Sequence, residues 1–314
     1  MAQPLFLNSV FKEKIWGGNH LKKFGYSLPS NNVGEYWAIS AHPNGLSVIK
    51  NGAFKGQTLD NVYKNHRELF NNSQAKKFPL LTKILDANQW LSVQVHPNDA
   101  YALKQEGELG KTECWYIISA DENSEIIYGH NARNKKELIK MINDNEWDKL
   151  LRKIKVKAGD FYYVPSGTMH VIGKGIMILE TQQSSDSTYR IYDFNRKDQN
   201  GNLRKLDIEK AIDVLTFGIP KKQLPKITKT NNLIRTSFIS NDVFSVDKLS
   251  ISGPVKLIQQ DTYSLCSVID GEGALSIDNT NYKLSKGDHY ILTSDIKEWA
   301  LDGNLMLITS TPSE

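Results

Sequence analysis

The stretch that decides the fold is GDFYYVPSGTMH, residues 159–170. Its opening Gly-Asp pair predicts a turn into a strand, and Pro165 suits a position where the sheet needs no backbone donor. Gly167 predicts a tight turn that sends His170 back along the next strand. The simplest interpretation of this pattern is a hairpin that ends on a core histidine. The alternative is that His170 binds a metal ion.

Short runs of β-branched and aromatic residues dominate the chain, each closed by Gly, Pro, Asn or Asp, as in IKVKAGDFYYVPSG (154–167) and IMILETQQ (176–183). This spacing predicts a sandwich or a barrel. The stretch at 159–170 also fits G-x5-P-x-G-x2-H, so it resembles the second motif of the cupin superfamily. We therefore expect a mainly β protein with a cupin (jelly-roll) barrel, and the match favours His170 as a ligand.

A few segments interrupt this pattern with a period near 3.6 residues, which predicts helices. These segments are residues 58–70, 98–106, 134–152 and 208–216. Asn98, Asn134 and Asp207 stand where N-caps belong. We expect the helices to decorate the barrel, with insertions at about 53–75 and 133–152.

A Lys- and Pro-containing segment at residues 218–232, GIPKKQLPKITKTNN, predicts a linker between two domains. Residues 1–217 would form the first domain, and residues 233–314 a second β domain. In the second domain YKLSKGDHYILTS repeats the rhythm of KVKAGDFYYVPSG but lacks the Pro-x-Gly-x-x-His that follows in the first copy. We therefore expect a second, cupin-like domain without a metal, although two unrelated hairpins would look similar.

The composition restricts the partners and the compartment. Thirty-nine Lys and Arg stand against 35 Asp and Glu, a formal charge of +4 without a basic stripe, so we expect no nucleic-acid partner. The two cysteines, Cys114 and Cys266, are too few for a disulfide framework, which favours a reducing compartment. No apolar run approaches the ~18 residues of a membrane span, and the first residues do not resemble a secretory signal. We expect a cytoplasmic protein with no membrane partner.

The strand WLSVQVHP (90–97) has two different faces. Ser92, Gln94 and His96 share one face, and the intervening valines share the other. A solvated polar face is the simpler interpretation. Glutamine and histidine two residues apart suit better the interior of a barrel that holds a cation, where the Gln94 amide oxygen would add a ligand.

The same alternation in GKTECWYII (110–118) places Lys111 and Glu113 on one face and Cys114 on the other, as a packing residue. Two imidazoles and one carboxylate make a mixed nitrogen and oxygen site. Such a site suits zinc but tolerates manganese, iron or cobalt.

Several stretches, taken in order and spacing, resemble the type I mannose-6-phosphate isomerase family, in its shorter bacterial form. They are residues 34–45, 83–102, 110–118, 159–173 and 180–196. The resemblance implies an isomerase that interconverts mannose 6-phosphate and fructose 6-phosphate, with residues 1–217 as the catalytic domain. It implies one zinc ion per chain held by His96, Glu113 and His170, with Gln94 as a fourth ligand.

The resemblance also implies that Arg190 is an active-site residue. An isolated arginine would more often form a surface salt bridge, but the aromatic strand around this one favours a pocket. By spacing, further residues match positions that line the family's substrate pocket. These are Lys83, Ser92, Lys111, Glu180 and Asp186. We expect the phosphate to contact Ser92 and one or more of Lys83, Lys111 and Arg196.

The implied reaction moves a proton between C2 and C1 through a cis-enediol, which requires a base and positive charge near the oxygens. Arg190 would steady the developing negative charge, since its guanidinium stays protonated. Glu180 is one candidate base, and Lys111 is the other if the site lowers its pKa. The sequence leaves both open.

Two other interpretations also stay open. A cupin oxygenase or decarboxylase would use similar ligands for iron or manganese, usually from a His-x-His pair, where this chain has Gln94-x-His96. A non-catalytic sugar-phosphate-binding cupin would keep the barrel without turnover. The sequence likewise does not choose between a monomer and a homodimer.

Overall fold

The computed structural model describes residues 2–197, 200–259 and 262–313, and strands dominate them. The strands, in chain order, are β1 (Leu5–Asn8), β2 (Val10–Gly18), β3 (Val33–Ile39), β4 (Val48–Ile49), β5 (Leu80–Ala87), β6 (Val93–Val95), β7 (Glu113–Ala120), β8 (Glu125–His130), β9 (Leu151–Lys155), β10 (Phe161–Val164), β11 (His170–Val171), β12 (Ile176–Gln183), β13 (Tyr189–Tyr192), β14 (Lys226–Lys229), β15 (Leu233–Ser240), β16 (Phe244–Ser252), β17 (Val255–Ile258), β18 (Ser264–Ile277), β19 (Thr280–Ser285), β20 (His289–Leu292) and β21 (Glu298–Pro312). The α-helices are α1 (Leu59–Asn65), α2 (Asp99–Gln105), α3 (Lys135–Asn143), α4 (Trp147–Leu150) and α5 (Ile208–Val214), and short 3-10 helices lie at His20–Phe24, Gly52–Phe54 and Arg67–Phe70.

Two antiparallel sheets form the N-terminal part. One has six strands in the order β10-β7-β12-β5-β2-β3, and the other has five in the order β13-β6-β11-β8-β9. Val93 and Val95 of the smaller sheet share one buried apolar cluster with Trp115 and Ile178 of the larger sheet. The valine face of β6 therefore packs into the core, which leaves its Gln and His face to the site.

Strand β12 is buried on both faces, because it lies between two apolar cores. Ile176 and Ile178 belong to the cluster between the two N-terminal sheets. Met177 and Leu179 pack in a second cluster that also contains residues of the C-terminal part, such as Phe238. This burial explains the continuous apolar run in the sequence.

The C-terminal part is built on a ten-stranded sheet in the order β14-β15-β16-β21-β18-β20-β1-β4, with β17 on β21 and β19 on β18. Strand β1 pairs with β20, so residues near the N-terminus complete the C-terminal sheet. The segment predicted as a linker contains strand β14, which pairs with β15. The segment 218–232 is therefore partly sheet, and the division into domains at residue 217 stays a prediction.

The predicted helix at 134–152 was too long. It is broken between α3 and α4 at Asn145, whose φ of 56° is left-handed. It also ends at Leu150, because Leu151 already pairs with His130 in the sheet. The predicted helix at 58–70 is likewise interrupted at His66, between α1 and a 3-10 turn.

Two of the three predicted N-caps are confirmed. The Asn98 side chain accepts a hydrogen bond from the amide of Tyr101, and Asn134 accepts one from the amide of Glu137. Asp207 precedes α5 without a side-chain capping bond. Across the described ranges, none of the helices combines the length and apolar character that a membrane span requires.

Candidate active site

Three side chains from three strand ends meet in the core of the N-terminal part. His96 follows β6, Glu113 begins β7 and His170 begins β11. The distance from His96 Nε2 to Glu113 Oε2 is 3.3 Å, and that from His170 Nε2 to Glu113 Oε1 is 3.4 Å. Each residue is 1% exposed. The structure thus brings the predicted metal triad together.

The hydrogen bonds of the two imidazoles suit a metal. His96 Nδ1 lies 2.9 Å from the carbonyl oxygen of Ser187, and His170 Nδ1 lies 2.9 Å from that of Thr168. Because a carbonyl only accepts, each Nδ1 carries the proton and each Nε2 turns a lone pair toward Glu113. Within the described part of the chain, His96 Nε2 and Glu113 Oε2 are buried without a hydrogen-bond partner. A divalent cation among these atoms would satisfy them.

The charge states of the triad fit the same conclusion. Burial, with the help of Lys111, lowers the pKa of His96 to about 3, so its imidazole is neutral. Burial alone would raise the pKa of Glu113, but His96, Lys111 and His170 lower it far below its ordinary value. Neutral imidazoles and an ionised carboxylate are the forms that bind metals.

Gln94 lies beside the triad, with its Nε2 3.3 Å from His170 Nε2. Its Oε1 faces Ser92 Oγ at 3.4 Å. In this orientation the amide nitrogen, which is not a ligand, faces the site, and a flip of the amide would present the oxygen instead. Gln94 as a fourth ligand stays a prediction.

A cavity of about 290 Å³ lies beside the triad. It is lined by all but one of the residues predicted for substrate binding and catalysis, together with Gln94. The predicted residues on its wall are Lys83, Ser92, Lys111, Glu180, Asp186 and Arg190, and charged residues that we did not predict are Lys14, Glu35 and Arg204.

Glu180 and Lys111 differ in their electrostatic surroundings. Burial and the charge of Glu113 raise the pKa of Glu180 to about 7. Lys111 Nζ lies 3.6 Å from Glu113 Oε2, and the nearby carboxylates raise the pKa of Lys111 although burial opposes them. The directions of these two shifts favour Glu180 over Lys111 as the base, and the assignment stays a prediction. The buried lysine whose pKa is lowered, chiefly by burial, is Lys83.

Arg190 lies opposite Gln94 across the pairing of β13 with β6. Its Nε donates to Ser92 Oγ at 3.2 Å, and its Nη1 donates to the carbonyl of Lys205 at 3.0 Å. These contacts hold the guanidinium against the pocket wall, as predicted from the aromatic strand around it.

Arg196, the remaining residue predicted to bind the substrate, does not line this cavity, and its predicted role in substrate binding stays untested. Its guanidinium donates to the carbonyl of Trp90 and to Asp193, and it lies 5.5 Å from the centre of the Phe194 ring. Arg204 occupies the cavity wall instead. No spacing in the sequence marks Arg204, whose contact with Asp193 joins residues 11 positions apart.

Glu108 is a second residue that the sequence did not reveal. Its carboxylate accepts from Ser185 Oγ at 3.2 Å, from the amide of Asp186 at 3.2 Å and from Ser187 Oγ at 3.0 Å. This loop carries Asp186 to the cavity, and its Ser187 carbonyl orients the ring of His96. Glu108 therefore supports both the pocket and the triad.

Glu35 provides a test of the electrostatics of the pocket. It is 8% exposed, and its carboxylate lies 3.1 Å from Lys14 Nζ and accepts from Trp37 Nε1 at 2.7 Å. Burial alone would raise the pKa of Glu35, but Lys83 and Lys14 lower it from 4.5 to about 2. Because the pKa of Glu35 is lower in the folded protein than in the unfolded chain, its ionised carboxylate stabilises the folded state at a pH above 4.5. This stabilisation is lost as the pH falls from 4.5 toward 2.

We therefore expect Glu35→Gln to reduce the free energy of unfolding at pH 7 by about 3 kcal/mol, the equivalent of that pKa shift. The difference from the unaltered protein should shrink on acidification through this window. Urea unfolding at several pH values measures it. A difference that is independent of pH would show that the variant loses packing rather than ion pairing.

Two family models match the chain. The model described as phosphomannose isomerase type I, catalytic domain, matches residues 5–118. The model described as mannose-6-phosphate isomerase, cupin domain, matches residues 234–312.

Full-length relatives and a solved structure agree with these models. The chain is 61% identical to mannose-6-phosphate isomerase of Streptococcus mutans, with 100% of both chains covered. It is 52% identical to mannose-6-phosphate isomerase ManA of Bacillus subtilis, covering 98% of this chain and 99% of that protein. A crystal structure of mannose 6-phosphate isomerase from Bacillus subtilis superposes with a TM-score of 0.96 at 48% identity over 99% of each chain. These similarities confirm the predicted mainly β cupin fold.

Proposed function

Because the chain belongs to the type I mannose-6-phosphate isomerase family, we propose that it is a zinc-dependent isomerase that interconverts mannose 6-phosphate and fructose 6-phosphate through a cis-enediol. The names of its full-length relatives confirm the predicted enzyme class. The observation that carries the metal-dependent mechanism is the buried triad, whose unpartnered Nε2 and carboxylate oxygen lie beside a polar cavity.

His96, Glu113 and His170 would hold the metal, and the described residues contain one such triad, which supports one ion per chain. Two imidazole nitrogens and a carboxylate oxygen suit zinc, although manganese, iron and cobalt accept similar ligands. When bound, the ion supplies Lewis-acid polarisation of substrate oxygens.

Glu180 is the residue that we propose to move the proton. Its buried carboxylate lines the cavity, accepts from Trp115 Nε1 at 3.1 Å and lies 3.9 Å from Lys83 Nζ. In the conversion of mannose 6-phosphate to fructose 6-phosphate, the Glu180 carboxylate would take the proton from C2 of the opened sugar and return it to C1. An acid held near neutral pKa suits both steps.

The cationic side chains would stabilise the charge that this transfer creates. Lys111, protonated beside Glu113, would donate to the sugar oxygens near the metal end. Arg190 would oppose the negative charge of the enediolate-like state, because its guanidinium remains charged. Ser92, Lys83 and Asp186 line the same cavity and would bind the remaining polar groups of the hexose phosphate.

No contact among the described residues favours the oxygenase or decarboxylase interpretation, and Gln94 stands where a His-x-His pair would place its first ligand. The enzyme class of the relatives argues against a non-catalytic sugar-phosphate-binding protein. A cytoplasmic location and the choice between monomer and homodimer stay predictions.

The test is a coupled assay together with metal analysis. We expect the purified protein to contain about one zinc per chain and to convert mannose 6-phosphate to fructose 6-phosphate. A chelator should remove the metal and silence the enzyme, and added zinc should restore turnover, because the apo triad keeps the neutral imidazoles and the ionised carboxylate that bind the ion. Zinc-loaded protein without isomerase activity would contradict the proposed function, and iron with oxygen-dependent turnover would contradict the metal.

A further inference from the structure

We infer that Arg204 binds the phosphate group of the substrate, at the end of the cavity farthest from the metal triad. This inference rests on the proposed function for the identity of the substrate. It assigns the phosphate contact to a residue that no motif in the sequence marks, in place of Arg196.

The first support is the presence of two guanidinium groups on one cavity wall. Arg190 and Arg204 both line the cavity. Burial, and next the positive charge of Arg204, lower the pKa of Arg190. Two partly buried cations at close range repel each other, and a bound anion would offset that repulsion. A phosphate, with charge near −2 and several acceptor oxygens, is the group that such a pair recognises.

The second support is the way in which Arg204 is held. Its Nε donates to Asp193 Oδ2 at 2.7 Å and its Nη2 donates to Asp193 Oδ1 at 2.5 Å. Asp193, which accepts both hydrogen bonds, is only 5% exposed, so its carboxylate is largely shielded from water. This two-point contact fixes the guanidinium plane and uses one edge of it. In the described part of the chain Nη1 of Arg204 has no hydrogen-bond partner, which leaves it available to a ligand.

The third support is the position of Arg204 along the pocket. Ser92, Gln94 and His96 form a row that leads away from the metal triad, about 13 Å long for four extended residues. Arg190 pairs with Gln94, and β13 then runs toward the Val93 end of β6 before Asp193 follows. The carboxylate that holds Arg204 therefore lies beyond the Ser92 end of the row. An open-chain hexose with its carbonyl end at the triad would direct its phosphate there.

Arg196 shares Asp193 with Arg204 but has a different orientation. Its other contacts are the Trp90 carbonyl and the Phe194 ring, and it lines an outer groove with both residues. Asp193 thus holds one arginine against the pocket and the other against the outer surface. This makes Arg196 the matched control for Arg204.

The experiment compares Arg204→Gln with Arg196→Gln in the metal-loaded protein. Binding of inorganic phosphate is measured by calorimetry, and KM and kcat are measured with mannose 6-phosphate. Loss of a charge-assisted phosphate contact should weaken phosphate binding and raise KM by about 10- to 100-fold in Arg204→Gln, with kcat changed less than about threefold. Arg196→Gln should change phosphate binding by less than about threefold, since it makes no contact in the cavity.

Unaltered phosphate affinity in Arg204→Gln, or a larger loss in Arg196→Gln, would overturn the inference. Metal content and thermal unfolding show whether each variant is folded. If Arg204→Gln does not fold, Arg204→Lys keeps the charge but loses the two-point contact with Asp193, and it should weaken phosphate binding about tenfold. Because calorimetry with inorganic phosphate needs no turnover, a failure of the isomerase assay would count against the proposed function alone.

Discussion

Replacing His170 with alanine should deprive the protein of its metal and of its isomerase activity. The change removes one of two imidazole ligands and leaves Glu113 with a single partner of that kind. Loss of a residue that only hydrogen-bonds to a metal ligand typically weakens metal binding about 10- to 100-fold. Loss of the ligand itself should therefore weaken zinc binding by more than about 100-fold. Chelator competition measures the affinity, and the coupled assay measures the turnover.

The matched control is His130→Ala. His130 is also a buried histidine of the N-terminal part, but its Nε2 faces the carbonyl of Thr216 at 3.1 Å. We expect this variant to lose some stability and to keep its zinc. If His170→Ala retained zinc at full affinity, the triad would not be the metal site, whatever the activity.

Replacing Glu180 with glutamine should lower kcat by about 10²- to 10⁴-fold, the range of a lost general base. Glutamine has the same shape, and its amide oxygen can still accept from Trp115, so metal content and KM should change little. Exchange of the C2 proton of mannose 6-phosphate with solvent, followed by NMR, isolates the proton transfer from all other steps. That exchange should fall in parallel with kcat.

Lys111→Met is the comparison that decides between the two candidate bases. Lys111 is an ammonium paired with Glu113, so its loss should reduce turnover through weaker charge stabilisation and leave some proton exchange. Full exchange in Glu180→Gln together with none in Lys111→Met would reverse the assignment. Metal content measured in both variants separates either result from a loss of the ion.

Local patterns of the sequence predicted much of the barrel. The turn around Gly167 is left-handed, with φ of 85°, and it sends His170 into a strand as expected. Alternation along β6 predicted that the valines enter the core, and it placed Gln94 on the cavity wall and His96 in the triad. Asn98 and Asn134 cap their helices. Each of these features depends on backbone geometry within a few residues, which the order of side chains determines.

Other features depended on residues that are distant in the chain. The sequence placed Arg196 in the pocket, but Trp90, which lies 106 positions away, holds it outside. The sequence also did not decide which residue is the general base. Burial and the surrounding charges, which shift the pKa values of Glu180 and Lys111, are what distinguish the two candidates. Strand β1 could not be assigned to the C-terminal sheet from its own residues.

By itself, then, the sequence predicted many of the strands, the buried face of β6 and the three side chains that meet at the candidate metal site. The tertiary structure decided which charged groups share the cavity, in which direction their pKa values shift and which of the two arginines bound to Asp193 lines the cavity. The physical reason is that periodicity and turn preferences act over a few residues, whereas desolvation and charge interactions sum over every group that the fold brings near.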